Sequence, residues 1–167
     1  MLISEEWREQ NAKLHIEREN FGRMGSWAAP KVMSLCAQYQ THDVLDYGCG
    51  KGTLNMSLPF GIHQYDPAIP KHSGTPAPAD IVTCTDVMEH IEPECITDVL
   101  DDLVRVTKKV IFLHIACRPA KKTMPNGENA HCLVKPPDWW KGQIGSRFNI
   151  VDTQSSDDDI IIEAHAK

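Results

Sequence analysis

The nine residues Val44-Leu45-Asp46-Tyr47-Gly48-Cys49-Gly50-Lys51-Gly52 limit what this chain can fold into more than any other stretch. A short apolar run ends in three glycines at alternate positions. Glycine lets the backbone turn tightly and lets a ligand come close to it. An apolar run of this length before such a turn reads as a buried strand, Asp43 to Tyr47, rather than as a solvated loop. In an open parallel sheet, ligands bind beyond the carboxyl ends of the strands. Asp66 closes the next strand, Ile62 to Tyr65, eighteen positions after Gly48. A carboxylate there can accept hydrogen bonds from both hydroxyls of a ribose, and Asp66-Pro67 stands where such a contact is needed.

The remaining pattern agrees with a sheet covered by helices. Ser4 is placed to cap a first helix running to about Glu19, and Ser26 or Pro30 opens a second with Val32, Met33, Leu35, Cys36 and Tyr39 on one side. A brief helix, Thr53 to Leu58, comes after the glycines. A Pro- and Gly-rich loop, Ala68 to Ala79, leads to a strand over Asp80 to Thr85. Pro93 fits the first turn of a helix whose stripe is Ile96, Val99, Leu100, Leu103 and Val104. Val110 to Cys117 is a strand, Arg118 to Pro137 a long loop, and Trp139-Trp140 a short helix. A hairpin, Phe148 to Thr153 and Ile160 to Ala164, closes the chain. Alternating strands and helices predict an α/β fold with a mostly parallel sheet and a C-terminal antiparallel hairpin. With 167 residues this is one core. Residues 1–42 form an N-terminal helical segment packed on the α/β domain of residues 43–167.

Two nucleotide fingerprints fail. G-x-G-x-x-G requires glycine where Thr53 stands, and a P-loop requires Ser or Thr where Gly52 stands. G-x-G-x-G preceded by Val44-Leu45-Asp46 instead resembles motif I of the class I S-adenosylmethionine-dependent methyltransferases. Asp80-Ile81-Val82-Thr83-Cys84-Thr85-Asp86-Val87-Met88-Glu89-His90-Ile91 resembles the fourth-strand segment of their small-molecule members. Val110 to Cys117 is similar to their fifth strand, and Asn129-Ala130-His131 with Trp139-Trp140 to the loop and helix after that strand. Short methyltransferase-like proteins encoded by bacteriophages are similar too. The resemblance implies a Rossmann-like methyltransferase domain with S-adenosylmethionine as cofactor. The backbone from Gly48 through Cys49 and Gly50 to Gly52, with Tyr47, would line its methionine part. Asp46 would orient that loop or its water, and Asp66 with Pro67 would hold the ribose. Asp86, Val87 and His90 would lie near the sulfonium or the acceptor. His90 or His131 would serve as base where a neutral acceptor needs one. Only thirteen residues separate Asp66 from Asp80, so one βα unit of the family pattern is shortened away.

Charge and composition narrow the partners. The formal charge is −6, with acidic clusters at Asp98, Asp101, Asp102 and at Asp157, Asp158, Asp159, which argues against a polynucleotide. The Pro-Cys nucleophile of cytosine-5 enzymes is missing, and Asp86-Val87-Met88-Glu89 replaces the motif of amino-methylating DNA enzymes. A small-molecule or nucleotide-like acceptor is therefore expected. The competing readings are a module that binds the cofactor without turnover, and a macromolecule methyltransferase that depends on a partner. No apolar run is long enough for a membrane span, and the first residues lack a secretory pattern. Six scattered cysteines without C-x-x-C spacing suit reduced thiols in the cytoplasm. His114-x-x-Cys117 and His131-Cys132 contain metal-ligand residue types. On a regular strand the first pair would face opposite ways, so no metal site is expected. Oligomeric state is not encoded in these patterns.

Overall fold

The computed structural model describes residues 1–19 and 21–167. In chain order the elements are α1 (Glu5–Glu17), α2 (Ala29–Tyr39), β1 (Val44–Tyr47), α3 (Thr53–Met56), β2 (His63–Tyr65) and β3 (Ala79–Thr85). Next come α4 (Ile96–Val106), β4 (Thr107–Ala116), α5 (Pro137–Arg147), β5 (Asn149–Ser155) and β6 (Asp159–His165). They form one sheet of order β2-β1-β3-β4-β6-β5. The first four strands are parallel, and β6 is antiparallel to β4 and to β5. This is the expected parallel sheet with a closing hairpin. β6 inserts beside β4, which leaves β5 as the edge.

Alternation along the strands divides the core in two. On β4, Ile111, Leu113 and Ile115 pack with Leu45, Val82 and Cys84 under α4 and α5. Val110 and Phe112 point the other way and pack with Val44, Ile81 and the α2 residues Val32, Leu35 and Cys36. Both faces of the central strands are therefore buried, as parallel strands require. A third apolar group lies apart from these two. Trp7 and Leu14 of α1 join Phe21, Met124 and Ala130, so α1 and the long loop after β4 are held to each other above the sheet.

Several boundaries differ from the expected ones. Ser4 does cap α1, accepting from the Trp7 N–H, and Pro30 does sit in the first turn of α2. Pro93, however, lies in a turn closed by Cys95 N–H donating to Glu92 O, and α4 begins only at Ile96. Val104, expected in the apolar stripe of α4, is exposed, and Val106 takes the buried place. β4 starts directly from α4 at Thr107, three residues early. The helix around Trp139 and Trp140 runs for 11 residues, with Trp140 fully buried in the core. The shortened unit is visible in the sheet, which ends at the three-residue β2.

Candidate functional site

From β1 the chain goes outward to β2 and then crosses back to β3 on the far side of β1. Such a reversal leaves a crevice at the carboxyl ends of the strands. The glycine loop sits in it. The N–H groups of Gly48 and Cys49 both donate to Tyr65 O, at 2.7 and 3.0 Å, which ties the loop to the end of β2. Gly50 N–H donates to Asp66 Oδ2 at 3.0 Å, and Lys51 N–H to Gly22 O at 2.8 Å. Gly48 has φ 82° and a Cβ there would lie 2.2 Å from Val87 Cγ2. Gly50 has φ 50° and its Cβ would lie 2.5 Å from Gly22 O. Both positions therefore need glycine for conformation and for space.

The loop forms one wall of a cavity of about 420 Å³. Asp46, Tyr47, Gly48, Cys49, Gly50, Asp66, Pro67, Asp86, Val87, His90 and His131 all line it. The structure thus gathers every expected site residue except Gly52. Gly52 caps α3 and faces Gln64, whose Nε2 would lie 2.5 Å from an added Cβ. Tyr47 takes part without its hydroxyl, which donates to Asp102 on α4 at 3.0 Å. Of the Ala68–Ala79 segment only Ala68 reaches the cavity, and neither Trp139 nor Trp140 does. What sequence reasoning missed is the roof: Trp7, Asn11, His15 and Phe21 from the N-terminal segment, and Arg118, Lys121 and Ala130 from the loop after β4. Ala130 belongs to the Asn129-Ala130-His131 stretch and Arg118 and Lys121 to the long loop after the strand, whereas for the N-terminal residues the sequence signal is an aromatic at the buried position of an otherwise polar helix.

The two carboxylates on the cofactor side behave differently. Both Asp66 oxygens already accept from backbone, Oδ2 from Gly50 and Oδ1 from Ala68 N–H at 2.9 Å. Its first duty is therefore to hold the glycine loop against β2, with lone pairs left for a ligand. Asp46 is 2% exposed and accepts from Thr83 Oγ1 at 3.2 Å through Oδ1, while Oδ2 has no hydrogen-bond partner among the described residues. Burial pushes its carboxyl up to about 7, against the opposing effect of the Thr83 bond. A buried carboxylate oxygen without a donor, on the wall of a cavity, fits a ligand that brings a cationic or N–H group.

The opposite wall is built at the end of β3. Asp86 adopts φ 54°, in the left-handed region, and its N–H donates to His114 O at 3.0 Å. A non-glycine residue held there is uncommon, and such residues cluster at functional sites. Its Oδ1 lies 3.0 Å from His114 Nδ1, and His114 Nε2 lies 3.4 Å from Asp159. Burial would lower the His114 pKa, but these two carboxylates hold it raised. His90 comes next in a short 3-10 turn, its Nδ1 2.7 Å from Ala130 O, and the Trp7 indole N–H donates to His90 O at 2.8 Å. His131 has its Nδ1 2.6 Å from Arg118 O, and its ring centroid lies 4.7 Å from that of His90. Burial, and then His131 beside it, lowers His90 to about 4, and burial likewise lowers His131. Both imidazoles are therefore neutral near pH 7. A group near 4 is a weak proton acceptor, which argues against His90 as the general base.

No protein-family model matches the sequence, and no curated protein matches it. Solved structures do match the fold. The structure called DhpI–SAH complex superposes with a TM-score of 0.68 at 13% identity, covering 98% of each chain. The 1,6-didemethyltoxoflavin-N1-methyltransferase of Burkholderia thailandensis, bound to 1,6-didemethyltoxoflavin and S-adenosylhomocysteine, gives 0.65 at 12%, covering 96% of this chain and 87% of that one. The N-methyltransferase NodS of Bradyrhizobium japonicum WM9, in complex with S-adenosylhomocysteine, gives 0.64 at 12%, covering 95% and 98%. The chain therefore has the Rossmann-like fold of class I S-adenosylmethionine-dependent methyltransferases, with the sheet cut short at the β2 edge relative to the family pattern.

Proposed function

We propose that the protein is an S-adenosylmethionine-dependent methyltransferase acting on a small-molecule or nucleotide-like acceptor. The observation that carries this reading is the cavity at the strand reversal, walled by a glycine loop and lined by Asp46, whose buried Oδ2 has no partner among the described residues. The residues fit the cofactor. A zwitterionic methionine part would place its ammonium against Asp46 and its length along Gly48 to Gly50. Asp66 and Pro67 would meet the ribose, and Asp86 and Val87 would border the sulfonium. When bound, S-adenosylmethionine supplies a methyl group already activated by its sulfonium.

The chain's own task is then to bind, orient and exclude water. Phe21 and Trp7 roof the cavity with apolar surface, and Trp7 fixes the His90 backbone by its indole N–H. His90 and His131 present neutral imidazoles to the acceptor side. An acceptor that enters under α1 and the loop after β4 must be small, because those segments are packed together through Trp7, Leu14, Met124 and Ala130. Three solved structures with S-adenosylhomocysteine in the same fold support the cofactor assignment. The six free cysteines suit a reducing cytoplasm. Among the described residues no helix is long and apolar enough to cross a membrane.

Calorimetric titration with S-adenosylmethionine and, separately, S-adenosylhomocysteine tests the reading, with NAD and ATP as controls. Micromolar binding of the first two only, lost in Gly50→Val, is expected. Absence of binding to either would refute it. Binding without turnover across a panel of hydroxyl and amine acceptors would replace it by a non-catalytic binding module.

A further inference from the structure

Glu89 is fully buried beside the cavity-lining His90 and has no part in cofactor binding as proposed. Its Oε1 accepts from Ala116 N–H at 3.1 Å, whereas Oε2 has no hydrogen-bond partner among the described residues. A carboxylate oxygen sealed from water without a donor costs free energy unless something else meets it. What lies near it is a pair of imidazoles. One ligand atom each from Glu89, His90 and His131 come within 4.8 Å of one another.

The two imidazoles are oriented in the same way. His90 Nδ1 faces Ala130 O at 2.7 Å and His131 Nδ1 faces Arg118 O at 2.6 Å. A carbonyl only accepts, so each Nδ1 must carry the proton, and each Nε2 is left with its lone pair. A backbone carbonyl on one ring nitrogen, fixing the other as the donor atom, is how protein imidazoles are prepared for metals. A second support holds Glu89, since its own backbone O accepts from Leu133 N–H at 3.0 Å. The loop after β4 thus pins all three residues, through Ala130, Arg118 and Leu133.

We propose that Glu89, His90 and His131 form a binding site for a divalent first-row transition cation, through Glu89 Oε2 and the two Nε2 atoms. Two imidazoles and one carboxylate suit zinc, cobalt, iron or manganese and not calcium or magnesium, which prefer all-oxygen shells. Ligand atoms around such an ion stand about 3–3.5 Å apart, so the three side chains close by roughly an ångström on binding. Asp86 stays outside the set, engaged by His114. Three protein ligands leave open positions, and His90 and His131 border the cavity, so those positions face the acceptor. On the methyltransferase reading this gives the site its substrate class, an acceptor with an oxygen donor. A cation held there would act as a Lewis acid, lowering the pKa of a hydroxyl brought against it so that its proton could pass to water near neutral pH.

The neighbouring pair His131-Cys132 does not act together, since the cluster takes His131 without Cys132. The cluster joins His90 and His131, 41 positions apart, and only the fold brings them together.

The test is titration of the chelator-treated full chain with cobalt(II), read by visible absorption, without S-adenosylmethionine. One equivalent should bind with d–d bands and no thiolate-to-cobalt charge transfer, since the six cysteines take no part. Glu89→Gln and His131→Gln, each checked for folding by circular dichroism, should weaken binding at least tenfold, and zinc should compete where magnesium does not. Absence of binding, charge-transfer bands from thiolate, or unchanged affinity in folded His131→Gln would overturn the site. Cofactor titration on the same samples reads the methyltransferase proposal independently, so failure of one is distinguishable from failure of the other.

Discussion

Asp46→Asn separates the energetic cost of the buried carboxyl from its use. Asp46 titrates at about 7 in the folded protein against 3.8 for the free group, chiefly because burial disfavours the charge. Between those values the folded protein holds a proton that the unfolded chain has released. Stability contributed by such a raised carboxyl is present at low pH and is lost as pH rises toward the folded value. Integrated from about pH 5 to pH 7, the loss is roughly 2 kcal/mol. The asparagine amide cannot titrate and removes this slope, while other titrating groups act on both proteins alike. Urea unfolding of apo wild type and Asp46→Asn at the two pH values measures it. The expected result is that the wild type loses about 2 kcal/mol more than the variant between them. Parallel pH profiles would refute the reasoning, because they would place the Asp46 pKa near its ordinary value and hence its carboxylate in contact with water. The same variant should bind S-adenosylmethionine more weakly, having lost the charge proposed to meet the ammonium.

Other residues give sharper local tests. Asp66→Ala strands the N–H groups of Gly50 and Ala68, costing about 1–3 kcal/mol each, and Asp66→Asn should recover part of this in chemical unfolding. Equal stability of Asp66→Ala and wild type would mean that the loop is not held this way. Gly50→Ala drives a Cβ to 2.5 Å from Gly22 O and should loosen the N-terminal segment, seen as faster hydrogen exchange at Lys51, whose N–H donates to Gly22. Trp7→Ala empties a buried aromatic site at about 3–5 kcal/mol, whereas Trp7→Phe loses mainly the bond to His90 O, about 1 kcal/mol. Near-equal costs for the two would show that the hydrogen bond, not the packing, holds α1 in place.

Much of this protein was legible from local pattern. The period-2 and period-3.6 signals carry element type, so the parallel strands, α4 and the closing hairpin could be read directly. Three glycines after a buried strand, with Asp66 eighteen residues on, marked the cavity's main wall, because backbone conformation and close approach are local demands. The short Asp66–Asp80 interval likewise announced a sheet that ends at β2. Tertiary contact decided the rest. Whether Gly52 faced the ligand or Gln64, and whether Asp66 had free oxygens or bound Gly50 and Ala68, depended on neighbours brought from other elements. The roof of Trp7 and Phe21 and the meeting of Glu89 with His90 and His131 required α1 and the loop after β4 to fold over the same strand ends. Local sequence can specify a turn or a stripe because both are set by residues a few bonds apart. A cavity's far wall and a buried atom's missing partner are set by residues tens of positions away, and only the packed chain determines which of them meet.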